Sequence, residues 1–157
     1  MSPRIFSPRA ALLVAALAVG LLCVASQVGS APMLAPTPET TSPGDADYQA
    51  GLQAKAAKRY PVAAASFRRA VEVRPNFPEA WNELGFALRQ TGSYEEALRA
   101  YDQALKLRPN FPEALEYLGE AYVKLGRLDE ARLILERLKP LDAARAQELT
   151  DVIRTAR

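Results

Sequence analysis

Few side chains in this sequence are equipped to make or break a bond. Two carboxylate pairs, Glu95-Glu96 and Asp129-Glu130, have the type and spacing for general acid and base work, and the one thiol is Cys23. No histidine stands anywhere in the 157 residues to complete a catalytic set or a common zinc site, and a single cysteine forms no disulfide within the chain. Gly-rich phosphate loops and nucleophile-elbow motifs are missing too. The expectation is a protein that is not an enzyme and uses no metal or cofactor. Recognition chemistry is better supplied. Glu113, Glu116 and Glu120, three and four residues apart, share one helical face with Lys124 four further on. Such a face either attracts a cationic group or simply solvates a helix.

The elements that would position these groups come from a repeat. Arg-Pro-Asn-Phe-Pro-Glu-Ala runs from residue 74 to residue 80 and again from 108 to 114, a period of 34. That period predicts stacked helical hairpins, an all-α solenoid. In the unit from Pro78 to Phe111, Trp81, Leu84, Gly85 and Leu88 are followed by Tyr94, Ala97, Tyr101 and Ala104 at helical spacing. Pro78 opens a first helix, Gly92 breaks it, and Pro109 closes a second. The acidic pairs then fall at the starts of second helices, where carboxylates suit the helix dipole. Three units are expected, 44–77, 78–111 and 112–145. A capping helix over 142–157 follows, started by Asp142, with Leu149, Val152, Ile153 and Ala156 on one face and Arg145, Arg154 and Arg157 offered to solvent. Gly51, Gly85 and Gly119, with Ala63, Ala97 and Ala131, mark the places where helices must approach closely.

Ahead of the repeats, Arg4 and Arg9 precede an uncharged run from Ala10 to Ala25. This is the pattern of an export element over 1–25, read either as a cleavable signal, with Cys23-Val24-Ala25 before a cut at Ser26, or as an uncleaved membrane anchor. Either one places the rest of the chain outside the cytoplasm, periplasmic or membrane-anchored. Residues 26–43 carry Pro32, Pro36, Pro38 and Pro43 and read as a proline-rich linker. Beyond it the charge is nearly balanced: Arg4 and Arg9 belong to the 20 basic residues and Glu39 to the 18 acidic ones, so 18 face 17 from Gly44 onward. Nucleic acid is not an expected partner.

The coupled Trp81, Leu84-Gly85, Tyr94, Ala97, Tyr101, Ala104 and Pro109 resemble the signature of the tetratricopeptide repeat, and this middle unit matches it nearly throughout. The third unit keeps Leu118, Gly119, Tyr122, Gly126 and Ala131 but has its proline early, at Pro140. The first keeps Gly51, Tyr60, Ala63, Phe67, Ala70 and Pro75. The resemblance implies a right-handed superhelix of about three repeats whose first helices line a concave groove for a protein or peptide. Carried over by position, the groove residues would be Tyr48, Leu52 and Lys55 from unit 1, Asn82, Phe86, Arg89 and Gln90 from unit 2, and Glu116, Glu120 and Lys124 from unit 3, with Glu113 beside them. Tyr48, Leu52 and Phe86 would anchor apolar side chains, and the glutamates would favour a basic segment. Chaperone-binding members clamp a C-terminal carboxylate with Lys, Asn and Arg, where this chain has Tyr48, Leu52, Glu83, Glu113 and Tyr117. The implied function is an exported interaction scaffold; a self-assembling or spacer role that leaves the groove empty is the alternative.

Overall fold

A computed structural model describes residues 42–156. The expected export element over 1–25, and all of the linker except Ser42 and Pro43, lie outside the described residues. Among the described residues there are seven helices and no strand: α1 (Asp45–Ala56), α2 (Tyr60–Val73), α3 (Pro78–Gln90), α4 (Tyr94–Leu107), α5 (Pro112–Lys124), α6 (Leu128–Leu138) and α7 (Ala143–Thr155). None of them is long and apolar enough to cross a membrane. The fold is an all-α stack of helical hairpins in which each helix packs chiefly on its sequence neighbours, except that α7 packs on α5 as well as on α6, and α3 also touches α5.

The punctuation residues do what their chemistry allows. Pro78 and Pro112 take the first turns of α3 and α5, where no backbone donor is needed. Gly92 and Gly126 adopt φ of 80° and 73° to end α3 and α5, and the next amide bonds back into the helix, Ser93 to Leu88 and Arg127 to Tyr122, at 2.9 Å each. Lys58 holds the same place in the first unit with φ of 56°, a left-handed conformation that costs a side-chain-bearing residue some stability. Asp142 caps α7 by accepting from the amides of Ala144 and Arg145.

The core is a single ladder of alanines and large rings. Phe67 and Tyr101 are fully buried, and each ring fills the space left by a glycine one helix away. A methyl built on Gly51 would run into the Phe67 ring, and one on Gly85 would stand 2.6 Å from Tyr101. The glycines therefore admit a side chain of the facing helix, rather than its backbone. Gly119 is different, because Leu149 of α7 occupies its space, 2.5 Å from such a methyl. Gly85→Ala is expected to lower stability, since overpacking of about 1–3 kcal/mol exceeds the roughly 1 kcal/mol alanine gains over glycine in a helix. Gly119→Ala should cost less, because the branched end of Leu149 can rotate away. Urea midpoints of the two variants check that order.

The capping helix departs from expectation at two residues. Ala146, Leu149 and Ile153 are its buried side chains, whereas Ala156 is exposed. Arg145 does not face open solvent but turns inward onto the buried carboxylate of Glu116.

Candidate functional site

The first helices α1, α3 and α5 present the ten sequence-predicted groove residues, and the structure sorts them into four groups. Phe86, Lys55, Arg89 and Glu120 come together around one aromatic centre. The Phe86 ring lies 6.1 Å from Tyr60 and 5.4 Å from Tyr117. Lys55 Nζ sits 4.3 Å from its centroid, while the Arg89 guanidinium lies 5.4 Å from Phe86 and 5.1 Å from Tyr117. Both cations are also paired with the next unit: Lys55 with Glu83 at 2.6 Å and Arg89 with Glu120 at 2.5 Å. Phe86 is half-buried, and the two ion pairs flank it.

Tyr48 and Leu52 form a second group that serves the core as much as any partner. Tyr48 packs 5.7 Å from Phe67 and 4.6 Å from Phe77, and Leu52 is half-buried against the same cluster. Gln90 and Lys124 make up an exposed group at the helix ends.

Asn82 and Glu116 correct the sequence reading. Both were expected to line an open groove, and both are buried, at 1% and 3% exposure. They occupy the same place in successive units, 34 residues apart. Glu116 is covered by Arg145 of α7. Asn82 keeps its Oδ1 buried without a hydrogen-bond donor. The expectation that Glu116 and Glu120 offer free negative charge is likewise corrected, since Arg145 and Arg89 hold them.

Burial sets the electrostatics of this face. It raises the Glu83 carboxyl above its ordinary range although Lys55 pulls the other way, and it raises Glu116 against the opposing pull of Arg145. The Tyr48 hydroxyl is pushed up to about 12, by burial first and then by Glu83, Glu79 and Glu113. Tyr117 is pushed up to about 12 by burial and then by Glu113 and Glu116. No cluster among the described residues has the make-up of a metal site.

Sequence reasoning missed a cleft of about 610 Å³ between α2 and α4, floored by Val71, Trp81, Leu84 and Leu88. Its signal was the helical spacing of Trp81, Leu84 and Leu88 on α3. Leu84 and Leu88 are indeed sealed, at 4% and 6% exposure, and the Arg68–Glu96 pair at 3.1 Å joins the two walls. Trp81 stays half-buried along this floor.

The sequence matches a family model described as TPR repeat over residues 87–126, and two described as tetratricopeptide repeat over residues 66–99 and 112–144. A search of curated protein sequences finds no match. Among solved structures, the chain is similar to the TPR2B domain of yeast Sti1 in complex with pHsp70, at 19% identity and a TM-score of 0.67, over 72% of this chain and 94% of that one. It is similar to the CopN-Scc3 complex at 28% identity and a TM-score of 0.63, over 69% and 68%. It also resembles the Yersinia enterocolitica type III secretion chaperone SycD in complex with a peptide of the translocator YopD, at 16% identity and a TM-score of 0.66, over 71% and 90%.

Proposed function

This chain belongs to the tetratricopeptide repeat family, and from that premise we propose that it is an exported, non-catalytic interaction module that binds a protein or peptide along its first helices. The observation that carries the reading is Phe86. A large ring held half-open between Tyr60 and Tyr117, with a cation on either side, is an anchor site already shaped. A bound chain would cover apolar ring surface there without breaking the Lys55–Glu83 and Arg89–Glu120 pairs. The solved structures of Sti1 and SycD, whose folds resemble this one, hold a pHsp70 and a YopD peptide respectively, which supports a peptide as the kind of ligand. Export rests on Arg4, Arg9 and the apolar run that follows them.

Crosslinking and pull-down from the native envelope test the reading. Phe86→Ala should lose the partner, while Leu133→Ser, at a 68% exposed site on α6, should keep it. Retention by both variants, with folding verified by circular dichroism, would remove the groove from the mechanism. Recovery of the full chain only in the cytoplasm would remove export.

A further inference from the structure

We propose that the groove takes an uncharged, proline-rich segment, which lies against a row of three aromatic rings. The inference rests on the groove reading above and names the chemistry of the ligand.

The row draws one ring from each unit. Tyr60 at the start of α2, Phe86 in α3 and Tyr117 in α5 are all half-buried, with centroids 6.1 and 5.4 Å apart in succession. Prolines two residues apart in a polyproline II segment are spaced by about 6.2 Å. Such segments dock on aromatic surfaces, which accept the apolar pyrrolidine ring, and their pre-set backbone loses little entropy on binding.

The charges around the row cancel. Lys55–Glu83 joins α1 to α3, Arg89–Glu120 joins α3 to α5, and Arg145–Glu116 joins α7 to α5. The six side chains are only 4–35% exposed. Lys124 and Glu113 add one charge of each sign, and the Tyr117 hydroxyl lies within hydrogen-bond reach of Glu113. Four cations therefore face four carboxylates. A charged residue of a ligand would lose its water and displace a pair that already joins two units, with no ion pair gained. An uncharged segment meets neither cost.

What the pairs leave over is hydrogen-bond donors. An ammonium carries three and a guanidinium five, whereas Glu83 meets Lys55 through one oxygen and Glu120 meets one terminal nitrogen of Arg89. Both cations lie over the Phe86 ring, and Arg89 over Tyr117 as well. The Tyr48 hydroxyl, pushed up to about 12 by burial first, keeps its proton at neutral pH and adds another donor. A polyproline II segment is the complement of such a surface, since its carbonyls are free and its prolines bring no N–H. An α-helical ligand could match the ring spacing at i and i+4, about 6 Å, but it spends its carbonyls on its own backbone.

The test is an amide NMR titration of the full chain with four blocked heptapeptides. The parent is Ac-Ser-Pro-Thr-Pro-Thr-Pro-Ser-NH2, and the others replace its prolines by alanine, its threonines by glutamate, or its threonines by lysine. The expected result is a shift of the Phe86 and Tyr117 amides by the parent peptide, with roughly tenfold weaker binding of the alanine one. Neither charged peptide should bind more tightly than the parent, and the parent's affinity should change by less than about twofold between roughly 0.05 and 0.5 M salt. Glu120→Gln, which releases Arg89, should make the glutamate peptide the tighter binder by roughly tenfold. Equal groove binding of the proline and alanine peptides, or tighter binding of either charged peptide by the unsubstituted chain, would overturn the ligand class and leave the groove reading standing. Absence of groove shifts with all four peptides would overturn the ligand class too, and loss or retention of the native partner by Phe86→Ala would then decide the groove reading by itself.

Discussion

Tyr101→Ala is expected to lower stability by about 3–5 kcal/mol, the usual cost of removing a fully buried ring. Tyr101 is the largest fully buried side chain among the described residues, fills the space over Gly85, and lies 6.3 Å from Tyr117. A domain of this size has only about 5–15 kcal/mol to lose. Tyr101→Phe is expected to move the other way. The hydroxyl is buried with no hydrogen-bond partner in good geometry, so its removal relieves a desolvation penalty of about 1–3 kcal/mol in an unpaired group. Urea unfolding followed by circular dichroism separates the two substitutions. A loss of stability in Tyr101→Phe would mean that Arg89, the nearest cation, donates to the hydroxyl in solution. Gly85→Ala should also become nearly harmless in a Tyr101→Ala background, because both substitutions act on one volume and cannot add.

Arg145→Ala is the second large effect. It leaves the Glu116 carboxylate, only 4% exposed along its side chain, without its cation. Breaking a buried pair costs about 3–5 kcal/mol. Arg145 itself is 35% exposed, so part of that is screened and a loss of about 2–3 kcal/mol at neutral pH is expected. The pH dependence gives the mechanism away. Burial raises the Glu116 pKa from 4.5 even with Arg145 present, with Glu148 and Glu120 adding to the rise. A carboxyl raised on folding contributes stability that is complete below its unfolded value and is lost as pH climbs through the folded one. Without Arg145 the folded value moves higher still and the loss deepens. The deficit of Arg145→Ala relative to the parent protein should therefore shrink when melts are taken at pH 4.5 instead of pH 7. An equal deficit at both values would assign the effect to lost packing of the arginine stem.

The repeat was legible because helical hairpins of this type are punctuated by glycine and proline, whose backbone demands survive without any knowledge of the tertiary structure. Pro78, Pro112, Gly92 and Gly126 delimit α3 and α5 in this way. The faces were less legible. Position within a hairpin says which way a side chain leaves its helix, not what the next unit lays over it, so Asn82 and Glu116 were read as open and are covered. The capping helix shows the same limit in length. α6 has 11 residues where α2 and α4 have 14, so α7 begins at Ala143, short of a full period after the Pro112 that starts α5. That early start swings Arg145 in over Glu116 and brings Leu149 to Gly119. Strict periodicity would have assigned the glycine to Leu135 and the arginine to water.

The way the three glycines are filled sets an order of events during synthesis. The ring over Gly51 comes from Phe67 and the ring over Gly85 from Tyr101, each on the second helix of the same hairpin, but the side chain over Gly119 comes from Leu149, beyond the hairpin's own second helix. A nascent chain leaving the ribosome can close its first two hairpins as each second helix emerges, since local contacts form early. The third stays ajar, with Gly119 uncovered, until α7 has been made. Glu116 and Arg145 meet only at that moment, so the α5 end of the groove is the last part of the described repeats to take shape.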